Sequence, residues 1–294
     1  MTKIEIYRFT LLNKAKEQQV LNFYNEEEDL LNTMDDFCSF IHRNIRDYID
    51  SQGKYRTFTL DGIQKLNPNN RSISGYIDSS YTGENGKLKD RKTNEKIIDI
   101  KADNLVSKSF FFLIHIPINS KYGYLIVEKK ENHGVKTIFS SAFNNFMRAK
   151  GVSNYFLELK QAPPRYFLKN HLEKGNLKEI RLVSNNSSDE NINFGKEERV
   201  FKVSDPNYGN HLKQILIELF NSQEFDEFSK ISFLDKGDFA FVLGYNKSCK
   251  TFYVKNKEKI RSNVDVSDLI VYEDNQPTLE SMIQISLELI EFAA

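Results

Sequence analysis

The hydrophobic pattern is densest between Ser109 and Lys150. An apolar block, Phe110 to Ile116, is followed by a break at Pro117–Gly123 and a second apolar stretch, Tyr124 to Val127, which closes in Glu128, Lys129 and Lys130. Two apolar runs of this length around a Pro/Gly-bounded break predict two strands joined by a turn. A turn at His133-Gly134 then leads into a helical pattern over about Thr137–Ala149.

Upstream, Lys3 to Leu12 reads as a strand whose half-buried face carries Ile4, Ile6, Tyr7 and Phe9. Between Glu26 and Arg46, apolar residues Leu30, Met34, Phe37, Ile41 and Ile45 recur at helical spacing. Acidic residues lead this stretch and Arg43 and Arg46 close it, which suits a helix dipole and predicts an amphipathic helix packed on the sheet. Strand patterns follow at Tyr55–Leu60, Ile73–Asp78 and Lys96–Lys101. The polar stretch Ser79–Glu95 contains Asn85-Gly86, a pair that favours a tight turn, so it reads as a long exposed hairpin tip.

Downstream, Asn154–Lys160 reads as a strand, and Pro163-Pro164 prevents regular hydrogen-bonded continuation. Helical patterns follow at Tyr166–Lys174, Asn210–Phe220 and Pro277–Phe292. Strand patterns occupy Lys178–Ser184, Arg199–Val203, Lys230–Leu234, Phe239–Tyr245, Thr251–Lys255 and Asp268–Tyr272, with a polar loop over 185–196. Strand runs broken by hairpin-length turns, with helices to one side, specify an α+β class with mainly antiparallel sheets and packed helices. The proline pair divides it into two parts, an N-terminal α+β domain over 1–163 and a C-terminal one over 164–294.

Composition supports two hydrophobic cores, because 294 residues exceed the usual size of one domain. The 39% hydrophobic fraction marks a folded chain, and 23 Phe and 14 Tyr assign most of the core to aromatic side chains. Forty-one basic residues balance forty-one acidic ones, so any nucleic-acid surface has to be a local patch. Cys38 and Cys249 lie far apart and outside metal-ligand spacing, which argues against a disulfide framework. No apolar run reaches the length of a bilayer span and the N-terminal segment lacks a signal-peptide block. A cytoplasmic protein without membrane contact is therefore expected.

Side chains alternate along a strand, so Glu128 and Lys130 leave the second apolar strand on one side. An acidic-x-Lys triplet at a strand end is the arrangement of Mg²⁺-dependent nucleases, in which carboxylates ligate a hard cation and Lys offsets charge on the phosphate. In that reading Glu128, Lys130 and Asp103 are catalytic, and Asp99, Asp103 and Glu128 supply metal ligands. Mg²⁺ is implied only there, and no other cofactor is. The same triplet recurs at Glu158 and Lys160, so the pattern alone does not separate a site from an ordinary strand end. The histidines have no metal-ligand spacing, and no nucleophile elbow, Walker loop or dinucleotide-binding loop occurs.

The densest basic cluster is Lys87, Lys89, Arg91 and Lys92 at the expected hairpin tip, with Lys96 close behind. Such a cluster is either a solvated edge or a finger that contacts nucleic-acid phosphates without reading bases.

The segments Phe110–Pro117, Gly123–Lys129 and His133–Phe139, with Leu172–Val183 beyond them, resemble uncharacterised bacterial proteins encoded among anti-phage defence genes. The resemblance implies a role in phage defence and carries over no active-site residue. Together with the basic tip it points to a defence protein that recognises a nucleic acid or a partner defence protein. The Mg²⁺-dependent nuclease is the enzymatic alternative. A homo-oligomeric adaptor or inhibitor without nucleic-acid contact also fits the zero net charge.

Overall fold

The apolar run at 110–116 lies in an inner strand of a large sheet and is buried on both faces. The computed structural model describes residues 2–43, 46–49, 55–82, 85–130, 135–162, 165–185, 196–221, 237–245, 248–254, 260 and 262–291. The chain runs β1 (Lys3–Asn13), α1 (Leu30–Arg43), β2 (Arg46–Ile49), β3 (Tyr55–Leu60), β4 (Lys65–Asn67), β5 (Ser72–Tyr81), β6 (Gly86–Lys89), β7 (Lys96–Ile100), β8 (Val106–His115), β9 (Gly123–Lys129), α2 (Lys136–Ala149) and β10 (Tyr155–Gln161). It continues through α3 (Arg165–Lys174), β11 (Asn176–Asn185), β12 (Lys196–Lys202), α4 (Pro206–Asn221), β13 (Gly237–Tyr245), β14 (Ser248–Tyr253), β15 (Val264–Asp265), β16 (Tyr272–Glu273), β17 (Gln276–Pro277) and α5 (Leu279–Glu291). The class is α+β with mainly antiparallel sheets, as the pattern predicted. Among the described residues no helix is long and apolar enough to cross a membrane.

The chain packs as two compact units, residues 1–160 with 265–288, and 161–264 with 289–294. Residues 265–288 belong to the first unit although they follow most of the second in sequence. Pro163, the expected boundary, lies outside the described residues.

In the first unit the main sheet has the order β10-β1-β9-β8-β5-β3-β2, with β4 added beside β5. The pairs β1/β9, β9/β8, β8/β5, β5/β3 and β3/β2 are each antiparallel. Along β8, Phe110, Phe112 and Ile114 point one way and Phe111 and Leu113 the other, and all five are buried. The first face packs with Phe9, Ile77 and Val127 against Met34 and Phe37 of α1 and Phe139, Phe143 and Phe146 of α2. Phe37 lies edge-on to Phe139 and Phe143 at 5.5 and 5.3 Å between ring centres. Each such fully buried ring contributes about 2 kcal/mol or more, so this aromatic cluster dominates the unit's stability.

The helix α1 starts where the sequence supplies its cap. Asp29 Oδ1 accepts the Leu31 amide at 2.9 Å, and the acidic residues from Glu26 precede the helix instead of forming its first turn.

Two local expectations are corrected. The hairpin formed by β6 and β7 does not turn at Asn85-Gly86: Gly86 opens β6, and the reversal falls at Asp90–Glu95. There Asp90 N donates to the Glu95 carbonyl at 2.9 Å, Asp90 Oδ1 accepts the amides of Lys92 and Thr93, and Asn94 takes the left-handed φ of 60°. The Asp side chain satisfies the turn's backbone donors, which outweighs the local preference of Asn-Gly. The strand expected at Asp268–Tyr272 is reduced to Tyr272–Glu273, paired with Gln276–Pro277. Asp274 and Asn275 both hold positive φ, 49° and 62°, the conformation of a two-residue hairpin turn.

In the second unit four antiparallel strands stand in the order β12-β11-β13-β14, with α3 against β13 and α4 against β11. Phe241 and Phe252 stack at 5.2 Å in its core with Leu177, Leu216 and Leu243. The expected strand at Lys230–Leu234, most of the polar loop at 185–196, and the turn at His133-Gly134 lie outside the described residues.

Candidate functional site

The second face of the first unit's sheet carries the acidic-x-Lys residues. Alternation along β9 puts Glu128 on the same side as Tyr124 and Ile126, and the register of β5 against β8 places Tyr76 directly opposite Phe111 on that side. A cavity of about 200 Å³ opens there, lined by Asp61, Tyr76, Ser109, Phe111, Glu128 and Lys130, with Gln276, Pro277 and Met282 completing it.

The charged groups of the cavity are each hydrogen-bonded or ion-paired. Glu128 is only 11% exposed, and its Oε2 accepts the Phe111 amide at 3.2 Å and pairs with Lys130 Nζ at 3.3 Å. Lys130 also donates to the Ser109 carbonyl at 2.5 Å. Ser109 Oγ donates to Asp61 Oδ2 at 3.0 Å, and the Asp61 amide donates to the Tyr76 carbonyl at 2.9 Å. Burial raises the Tyr76 hydroxyl pKa, and the neighbouring charges of Glu128, Glu280 and Asp61 raise it further.

The structure therefore brings Glu128 and Lys130 together and adds Asp61, which no sequence signal marks. Asp61 reaches the site because β3 pairs with β5 and ends beside Tyr76, a consequence of sheet order and not of any local motif. Asp99 and Asp103 are not part of this lining. Asp99 is exposed on β7 and ion-paired with Lys96 at 2.8 Å, and Asp103 is exposed in the turn that follows β7. Among the described residues no group of three His, Cys, Asp or Glu side chains converges to hold a metal ion. The second triplet is also an ion pair, Lys160 Nζ to Glu158 Oε2 at 3.0 Å, but Glu158 is 39% exposed and neither residue lines this cavity. Burial, which the sequence does not display, is what distinguishes the two triplets.

The basic cluster occupies a separate two-stranded ribbon, β6 with β7. Lys87, Lys89, Arg91 and Lys92 are all exposed. The register pairs Lys87 with Asp99 and Lys89 with Lys96, so one face is charged, whereas Leu88 pairs with Ile98 on the other. That second face is uncovered among the described residues: Leu88 is 52% and Ile98 57% exposed, and Ile97, at the register shift, is 61% exposed.

No protein-family model matches the chain, and no curated protein matches it in sequence.

Proposed function

We propose that this chain is a cytoplasmic recognition protein of bacterial phage defence that contacts nucleic acid through the β6–β7 ribbon. One observation carries the binding role. Segment 86–101 holds six Lys or Arg against three Asp or Glu, and its cations stand exposed on an isolated ribbon in a chain of zero net charge. A local positive field of this kind attracts phosphates regardless of sequence, and a two-stranded ribbon is narrow enough for the major groove of a duplex. The defence role rests on the resemblance of the β8–β9 segments described above.

A second reading, a partner protein, is favoured by Leu88, Ile97 and Ile98, because exposed apolar side chains clustered on one ribbon mark protein-docking surfaces. Gel shift with duplex and single-stranded probes, run alongside phage plaque counts in cells carrying the chain, tests both. If Lys87, Lys89, Arg91 and Lys92 bind nucleic acid, replacing all four by Ser abolishes the shift and the protection together. Loss of protection with Leu88→Ser alone, in the absence of any shift by the wild type, selects the partner protein.

A further inference from the structure

We propose that the cavity around Glu128 and Tyr76 binds a small organic cation, an ammonium or guanidinium group on a compact ligand. The lining carries two carboxylates, Asp61 and Glu128, against one ammonium, Lys130. That ammonium is already engaged by Glu128 Oε2 and the Ser109 carbonyl. Each carboxylate uses one oxygen in these bonds. Among the described residues none is made to Glu128 Oε1, Asp61 Oδ1 or the Tyr76 hydroxyl. With the exposed Gln276 amide beside them, the groups left over offer more acceptor oxygens than donors in a site of net negative charge, which suits a donor-rich cation.

The rest of the lining suits the carbon part of such a ligand. The Phe111 and Tyr76 rings meet edge to face at 6.3 Å, and Pro277 and Met282 add apolar surface. A cation beside aromatic faces gains the attraction of the ring quadrupoles. About 200 Å³ accommodates a guanidinium or amine with a few methylenes. Glu280 adds negative charge near Tyr76, although its carboxylate is tied to Lys65 at 3.1 Å. An anion would meet two carboxylates with no free cation to receive it.

The test is calorimetric titration of the full chain with agmatine and with putrescine, with acetate and n-butanol as anionic and neutral controls. Saturable one-site binding of an amine or guanidine is expected, with no binding of either control. Asp61→Asn and Glu128→Gln should each weaken it at least tenfold, while Glu158→Gln leaves it unchanged. Asp61 is exposed at the cavity mouth, so Asp61→Asn keeps the fold even where Glu128→Gln destabilises it; melting curves check both. A capped Gly-Arg-Gly peptide distinguishes the source: tighter binding than agmatine shows that the cation arrives as a side chain of another protein, and weaker binding shows a free small molecule. Absence of saturable binding by every cationic probe, or binding that Asp61→Asn leaves intact, overturns the assignment.

Discussion

Arg71 grips Asp29 with both ends of its guanidinium, Nη1 to Oδ2 at 2.9 Å and Nη2 to Oδ1 at 2.8 Å, while its Nε donates to the Ile116 carbonyl at 2.7 Å. One side chain thereby ties the capped start of α1 to the end of β8. With side-chain exposures of 18% and 24%, the pair is largely withdrawn from water, so removing one partner strands the other. Arg71→Met should cost about 2–4 kcal/mol in urea unfolding. Arg71→Lys should recover only part of that, because an ammonium cannot form the two parallel bonds.

The centre of the main sheet should respond sharply to volume. Phe112 is fully buried opposite Gly75, and a Cβ on Gly75 would lie 3.2 Å from the Phe112 ring. Phe112→Ala should destabilise by about 3–5 kcal/mol, and Phe112→Asp should prevent folding of the first unit. Gly123 is more constrained. A Cβ there would sit 2.4 Å from the Phe9 ring and 2.9 Å from the His115 carbonyl, so Gly123→Ala should cost at least about 1–3 kcal/mol, read from the shift of the denaturation midpoint.

Acid should weaken the first unit in two separable steps. Burial holds the His115 pKa below its ordinary 6.5, the hydrogen bond to the Asn70 carbonyl opposes this, and the charge of Arg71 adds to it. The unfolded chain therefore binds this proton first, so the contribution is complete above pH 6.5 and is lost as pH falls from there through the lower folded value. Asp29 acts further down. Burial alone would raise its pKa, but the Arg71 bonds and the Leu31 amide hold it below the ordinary 3.8, so its contribution is present above 3.8 and lost on further acidification. Unfolding free energies measured from pH 7.5 to 5.5 should fall for the wild type and stay flatter for His115→Gln. A slope unchanged by that substitution would show that His115 titrates normally in the folded chain.

Much of this architecture is legible in the residues and part of it is not. The run at 110–116 and the periodicity of Leu30, Met34, Phe37 and Ile41 specify their elements because burial of alternate or every-third-and-fourth side chains leaves a pattern in sequence. The pairing of Tyr76 with Phe111 and the arrival of Asp61 beside Glu128 leave none, because they follow from strand order. The turn of the β6–β7 ribbon falls away from Asn85-Gly86 for a local reason, since Asp90 caps two amides with its side chain whereas Asn85-Gly86 is merely compatible with a turn. Glu128 and Glu158 read identically in sequence, and only tertiary packing separates a carboxylate in a cavity from one at a surface.

The measurement closest to the central claim is the salt dependence of nucleic-acid binding. Fluorescence anisotropy with a labelled duplex, taken at several salt concentrations, gives the slope of log K against log salt, about −0.9 for each phosphate neutralised. If Lys87, Lys89, Arg91 and Lys92 make the contact, replacing all four by Ser should flatten the slope by about 3–4. The melting temperature should hardly change, because exposed charges contribute little to stability. Wild-type binding with the same slope in the quadruple variant, or no binding at low salt by the wild type, would contradict recognition through this ribbon.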